Sequence, residues 1–347
     1  MMMEYEEFRK KVMEELPHYL GVTVDVGPVD LTRNNGRVDS GISVRRIGSN
    51  IGPAIYLDGY YHEYVLGRDF HGVMEKIARL CSENLIEAQI NTAGLTRYDQ
   101  VKGQLCCTLV NGVGNEAFLK DKPWTPMEGL AVIYRISSGH LTDQIESITI
   151  TNEMLDHYGV SKETLHRDAM KNTRELYEPR FTHLAGLMDE LKTDVPDAGF
   201  ISLPPKDLLE EVPMYVLTND AKWNGAVNIL YPDVMDQVAA VVGKDFYVLP
   251  SSIHEVLIVP KSMEEDYRGL EEMVETVNAT MLDPEEILSD HVYGVDMKEH
   301  RLYRCDLEEQ RIMARKFKER VQEKTDAGKR ALKKSTPRKY APKGPKL

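Results

Sequence analysis

One short stretch, Ser251-Ser252-Ile253-His254-Glu255, gathers residue types that can do chemistry. A hydroxyl can act as a nucleophile, an imidazole titrates near neutral pH and transfers protons, and a carboxylate can orient that imidazole. If the stretch is a regular strand, alternation places Ser252 and His254 on one face and Glu255 on the other. Ser252 and His254 are therefore the catalytic candidates, and a hydrolase-like site near them is one hypothesis.

The same stretch also has structural interpretations. Ser followed by His two positions later is not a nucleophile elbow, and the chain contains no Gly-x-Ser-x-Gly. Its hydroxyl groups can instead satisfy backbone groups in a turn. A binding surface is a third use of these side chains, so the stretch alone leaves the reaction class open.

The sequence contains no complete motif for a metal or a nucleotide cofactor. The ten histidines and four cysteines show neither His-Glu-x-x-His nor Cys-x-x-Cys spacing. Residues 112–117, GVGNEA, fit a dinucleotide fingerprint, but that motif needs a helix beginning there, and Lys122-Pro123 follows soon after. We therefore expect no cofactor and no metal site, with distant ligands brought together by folding as the alternative.

Trp223 is the candidate for partner recognition in the body of the protein. It lies between Lys222 and Asn224 in a polar segment, where an exposed indole would suit a protein partner. The alternative is that the ring packs back over its own hairpin. The sequence alone leaves both interpretations open.

The charge of the chain is unevenly distributed. Residues 311–347 carry 14 Lys or Arg and 3 Asp or Glu, a net charge of +11, whereas the other 310 residues carry −24. The last part is also too polar to offset its conformational entropy by burial, so we expect disorder from Gly328 onward. Nucleic acid could bind only through this tail, and the candidate contacts are Lys333, Lys334, Arg338 and Lys339. Folding back on the acidic body and a merely solubilising role are the alternatives.

Length and composition place the chain among globular proteins. At 347 residues it can form two domains, and no apolar run approaches the ~20 residues that span a bilayer. The acidic, amphipathic start lacks the features of a signal peptide. We therefore expect a cytoplasmic protein with no membrane partner.

The sequence pattern predicts the elements that position these residues. We expect them to form an α+β fold in two lobes, with mixed or antiparallel sheets packed by helices and a flexible basic C-terminal tail. The lobes span residues 1–150 and 196–305. A helical connector of residues 151–195 joins them, and a charged helix and basic tail follow at 306–347. The apolar spacing predicts helices at 4–16 and after Ser161, and Asn34-Asn35-Gly36 predicts a hairpin turn. Pro179 is predicted to begin a helix, and Ala226–Tyr231 to form a strand.

Three segments resemble a known family. They are PAIYL followed by YY at residues 53–61, ITITN at 148–152, and LPSSIHEV at 249–256. Together they resemble an uncharacterised bacterial family, domain-of-unknown-function family 5688, over most of residues 5–305. The resemblance implies a cytoplasmic accessory protein of bacteria and supplies no activity, cofactor or catalytic residue. The leading hypothesis is therefore a non-enzymatic binding or accessory protein with an unknown protein partner, and the hydrolase and tail hypotheses are the alternatives.

Overall fold

The computed structural model describes residues 2–49, 52–85, 92–137, 147–185, 201–202, 214–250, 252–262 and 266–335. Its helices pack against sheets whose neighbouring strands are antiparallel, apart from one parallel pair, which confirms the predicted α+β class. The helices are α1 (Tyr5–Leu20), α2 (Asp58–Val65), α3 (Phe70–Asn84), α4 (Tyr98–Val101), α5 (Glu116–Leu119), α6 (Asn152–Tyr158), α7 (Lys162–Leu176), α8 (Pro232–Val242), α9 (Tyr267–Met281) and α10 (Cys305–Ser335).

The strands of the described residues form three sheets. Strands β1 (Val24–Thr32), β2 (Val38–Arg46) and β3 (Ala54–Tyr56) form the first, in that order. The second contains β4 (Leu105–Asn111), β5 (Trp124–Met127), β6 (Leu130–Ser137) and β7 (Ser147–Thr149), with β6 pairing with all three others. The third has the order β14-β13-β11-β12-β10-β8-β9 and comprises β8 (Pro179–His183), β9 (Ile201–Ser202), β10 (Tyr215–Asn219), β11 (Phe246–Leu249), β12 (Val256–Pro260), β13 (Tyr293–Asp296) and β14 (Arg301–Arg304).

The first sheet follows the sequence pattern closely. Phe8, Val12 and Leu16, spaced by four along α1, are fully buried against it. Between β1 and β2 the chain turns through Asn35 and Gly36, both with positive φ, which Asn and Gly tolerate. The predicted N-terminal helix and hairpin are both confirmed.

The hydrophobic cores group residues differently from the predicted lobes. Leu105 and Tyr134, from before residue 150, share one core with Leu165, Leu217 and Val248, whereas residues 8–81 contribute a separate core. Strand β4 is buried at six consecutive positions, so both of its faces are covered. It therefore links the second sheet to the core that also contains residues of the third sheet. The predicted junction at residues 195–199 lies outside the described residues, and the boundaries at 150 and 196 stay predictions.

The helix predicted to begin at Pro179 is wrong, because residues 179–183 form strand β8. Burial alternates along this strand, with Phe181 and His183 buried, which is the two-residue period of a strand. Phe181 lies opposite Leu217 of β10. Pro179 fits the first turn of a helix equally well, so tertiary pairing decided between the two states.

The strand predicted at Ala226–Tyr231 is also wrong. Gly225–Leu230 is a 3-10 helix that follows two residues with positive φ, Lys222 and Asn224. The Asn228 amide donates to the carbonyl oxygen of Thr218 at 2.7 Å, which fixes the helix against β10. The apolar run Gly225–Leu230 thus folds as a 3-10 helix. Its one buried amide, on Asn228, finds a hydrogen-bond partner on strand β10.

The charged segment after β14 is helical, as predicted for residues 306–328. Helix α10 continues through Lys333 and Lys334 to Ser335, past Gly328, where the sequence predicted disorder to begin. Arg338 and Lys339 lie outside the described residues. No helix in the described part of the chain is both long enough and apolar enough to cross a membrane.

Candidate functional site

A cavity of about 540 Å³ lies where the first hairpin meets the second and third sheets. Its walls come from eight parts of the chain: the end of β1, strands β4, β6 and β7, the segment at α5, the loop after β10, and the turns before β12 and after α9. The side chains that matter for its chemistry are Arg33, Thr108, Arg135, Trp223, Asn224 and His254. Folding therefore brings two of the sequence candidates, Trp223 and His254, to one cavity.

The loop that carries Trp223 is held rigidly by a buried amide. The Asn219 side chain donates to the Trp223 carbonyl oxygen at 2.8 Å and accepts from the Trp223 backbone N–H at 3.1 Å. Gly225 then passes so close to β10 and to the His254 backbone that a Cβ would lie 2.5 Å from the Thr218 Oγ1 atom. These contacts fix the backbone on either side of the indole.

The Trp223 ring is half-buried and forms part of the cavity wall. Its centroid lies 5.5 Å from that of Tyr177, and the Arg135 guanidinium carbon lies 5.8 Å from the indole centroid. The ring therefore packs against another sheet rather than only over its own hairpin. The predicted role in partner recognition stays a prediction, and the ring's position on a cavity wall gives it a second interpretation.

Arg135 differs from the other cations of the cavity wall. Arg33 contacts Asp39 at 2.8 Å and Glu285 at 3.5 Å, and Lys122 contacts Asp121 at 2.7 Å. Arg135, by contrast, donates from Nε to the Ser147 hydroxyl at 3.0 Å and has no carboxylate partner among the residues that the structure describes. Burial lowers the pKa of its guanidinium, and the nearby charge of Arg33 acts in the same direction.

Two polar side chains on the wall are buried without a partner. Asn224 is 3% exposed and Thr108 is 1% exposed. The Asn224 Nδ2 and Thr108 Oγ1 atoms have no hydrogen-bond partner within the described parts of the protein. Each such group costs about 1–3 kcal/mol when left unsatisfied. Both atoms are also sealed from solvent, so a molecule in the cavity would reach them only if the wall shifted.

Ser252 and His254 are close in space, but their side chains have separate partners. The Ser252 hydroxyl accepts from the His254 backbone N–H at 3.0 Å, and Ser252 forms an isolated bridge with Ile287. The His254 Nδ1 atom accepts from the Asn224 backbone N–H at 3.1 Å, and its Nε2 atom lies 3.7 Å from a Glu286 carboxylate oxygen. The serine thus supports a turn, and catalysis by this pair stays a prediction.

His254 is paired by a carboxylate other than its neighbour Glu255. Burial lowers the pKa of His254, while Glu286 opposes that shift. Burial raises the pKa of Glu255, and the charge of Glu286 adds to the effect. Residues 252–255 precede strand β12, so the alternation of a regular strand does not apply to them, and the separation of His254 from Glu255 stays a prediction.

The lowered pKa of His254 predicts a pH-dependent contribution to folding. The folded state favours the neutral ring of His254. Its contribution to the free energy of unfolding is therefore fully present above about pH 6.5, the pKa of histidine in an unfolded chain, and is lost as the pH falls towards the lower pKa of the folded protein. We expect His254→Gln to lose less free energy of unfolding than the wild type between pH 7.5 and pH 5.5, measured by urea titration. The exposed His157→Gln is the control, and equal losses in wild type and His254→Gln would contradict the assignment.

The glycine motif at residues 112–117 has a structural role. The helix that follows it, α5, is only four residues long. Asn115 is buried and donates to the Asn34 side chain at 2.7 Å, while accepting from the Asn35 backbone N–H at 3.0 Å. The motif therefore holds the first hairpin against the end of β4 through hydrogen bonds. This contact forms one side of the cavity.

Sequence reasoning missed Arg33, Thr108, Arg135 and Asn224. They are far apart in the chain, and none belongs to a recognisable motif. One signal was available: Arg135 is the charged residue in the apolar run Leu130–Ile136, LAVIYRI. In the described part of the chain, no group of three or more His, Cys, Asp or Glu side chains is placed to hold a metal ion.

Comparisons with known proteins give a family but no activity. No curated protein and no solved structure matches the chain. A family of unknown function, DUF5688, matches residues 5–296, which is most of the chain and includes every wall of the cavity. The three segments that resembled this family lie within that match. The chain therefore belongs to the DUF5688 family.

Proposed function

We propose that this protein binds a small organic anion in the cavity beside Trp223 and does so as a non-enzymatic binding protein. The observation that carries the proposal is Arg135, a half-buried guanidinium without a carboxylate partner in the described structure. Such a charge is costly in a protein unless something pairs with it. A carboxylate or phosphate on a ligand would supply that pair.

The neighbours of Arg135 favour a ligand with a planar group next to its charge. A guanidinium has parallel N–H donors that match a carboxylate, and it can lie beside an aromatic face. The indole of Trp223 offers such a face at the same wall.

The size of the cavity agrees with this class of ligand. Cavities that hold small molecules usually measure about 300–1,000 Å³ and combine apolar walls with a few convergent polar groups. The cavity here measures about 540 Å³ and includes Phe118, Val110 and Ile133 among its apolar walls. It can therefore hold a molecule of metabolite size.

Binding is favoured over hydrolysis by the hydrogen bonds around Ser252. An activated serine needs a base within hydrogen-bond reach of its hydroxyl. The hydroxyl of Ser252 instead serves the His254 backbone, and the His254 ring is engaged by Asn224 and Glu286. The hydrolase hypothesis would gain support from turnover that is lost in His254→Gln.

Equilibrium dialysis against a bacterial metabolite extract, read by mass spectrometry, tests the proposal. We expect the wild-type protein to enrich small carboxylates or phosphates, and Arg135→Gln to lose that enrichment. Arg268→Gln, which alters a surface arginine paired with Glu309, is the matched control and should behave like the wild type. Enrichment confined to neutral or cationic molecules, or no enrichment at all, would sink the proposal.

A further inference from the structure

Helix α10 presents an apolar stripe that is largely exposed, although Met313 at its start also lines a pocket beside Tyr267 and Tyr303. Met313, Phe317 and Val321 are spaced by four residues and are 60%, 69% and 48% exposed. Because an α-helix has 3.6 residues per turn, this spacing places them along one face. From Gln310 to Thr325 every residue of the helix is exposed, so the stripe, about 12 Å long, lies within about 24 Å of solvent-exposed helix.

The charges of α10 are arranged around that stripe. Lys316, Arg320 and Lys324 lie along one side of it and Lys318 lies along the other, whereas Arg315 lies on the far side and Arg311 pairs with Glu128 and Glu308. The acidic residues of the same segment lie on the far side of the helix; they are Glu319, Glu323 and Asp326. The apolar face is therefore bordered by cations, and the carboxylates point away from it.

We propose that α10 is an interfacial helix that docks on an anionic lipid surface through Met313, Phe317 and Val321. An apolar face bordered by Lys and Arg suits the boundary between acyl chains and acidic headgroups. Duplex nucleic acid would pair with the cations but would leave the apolar stripe in water. A second copy of the helix would bring like charges together, since residues 311–327 carry six cations and three anions.

The acidic body does not prevent this docking. Charges are screened within about 8 Å at physiological ionic strength, and the exposed part of α10 is about three times as long. The lack of a spanning segment predicted no membrane partner, but an interfacial helix needs no such segment. The proposal revises that expectation.

Vesicle co-sedimentation of the full chain tests the proposal. We expect binding to vesicles of 70% phosphatidylcholine and 30% phosphatidylserine at 0.1 M salt, and not to pure phosphatidylcholine. Phe317→Gln should lower the partition coefficient about tenfold, because it removes the largest apolar contact. The control is Leu66→Gln, which alters a residue that is 74% exposed but lies outside the helix and should bind like the wild type.

Two further arms make the outcome decisive. A chain ending at Ser335 keeps the whole helix and should retain binding; loss of binding would assign it to the terminal cations and overturn the proposal. Equal binding by Phe317→Gln and wild type, with helicity confirmed by circular dichroism, would overturn it as well. So would binding to a 30-base-pair DNA duplex without binding to vesicles.

Discussion

Arg135→Gln should weaken binding of the organic anion by about 100-fold, since truncating one partner of a buried charge pair costs roughly 2–5 kcal/mol. The amide that replaces the guanidinium keeps one donor but loses the charge and the second parallel N–H group. Isothermal titration calorimetry with the acid selected by dialysis measures the change. The affinity of Arg135→Lys should lie between those of the wild type and Arg135→Gln, because an ammonium keeps the charge but cannot reproduce the bidentate geometry of a guanidinium.

The same substitution should raise stability in the absence of ligand. Arg135 is a half-buried cation without a carboxylate partner among the described residues, and burial already lowers the pKa of its guanidinium. Removing the charge should therefore stabilise the free protein by about 1 kcal/mol in urea unfolding. A residue with a purely structural role would show the opposite sign, a loss of stability, so parallel losses of stability and binding would contradict the assignment.

Gly225→Ala should destabilise the protein by about 3 kcal/mol, the upper end of the usual cost of overpacking. A Cβ at this position would lie 2.5 Å from Thr218 Oγ1 and 2.6 Å from the His254 carbonyl oxygen. Backbone on two sides cannot move away cheaply, so the loop that carries Trp223 must shift. We expect a lower midpoint of urea unfolding together with weaker ligand binding.

Gly59→Ala is the matched control for that substitution. Gly59 lies in α2, and a Cβ there would meet nothing within 4 Å. Replacing a helical glycine by alanine stabilises by about 0.5–1 kcal/mol. Opposite signs for the two substitutions are expected, and an unchanged midpoint for Gly225→Ala would show that the loop is not held as tightly as the contacts indicate.

The sequence predicted those elements whose signals are local. Helix α7 begins after Ser161, whose hydroxyl accepts from the Thr164 backbone N–H at 3.2 Å, and α8 begins at Pro232. The hairpin turn at Asn35 and Gly36 follows from their tolerance of positive φ. In each case, two to four neighbouring residues determine the structure, so no knowledge of distant contacts is needed.

The elements that were missed depend on distant partners. Pro179 starts a strand because β10 pairs with it, and Gly225–Leu230 coils because Thr218 satisfies Asn228. Neither partner can be identified from local spacing. The cavity is a stronger case: Thr108, Arg135 and Asn224 meet only when three separate segments fold together. Of its chemistry, the sequence supplied Trp223 and His254 but not the unpaired cation.

A crystal structure of the protein with the acid selected by dialysis tests the central claim most directly. The proposal predicts that the acidic group lies within about 3 Å of the Arg135 guanidinium, which is hydrogen-bond distance, with its planar part against Trp223. An acid bound elsewhere on the protein, with the cavity beside Arg135 filled only by water, would contradict the claim.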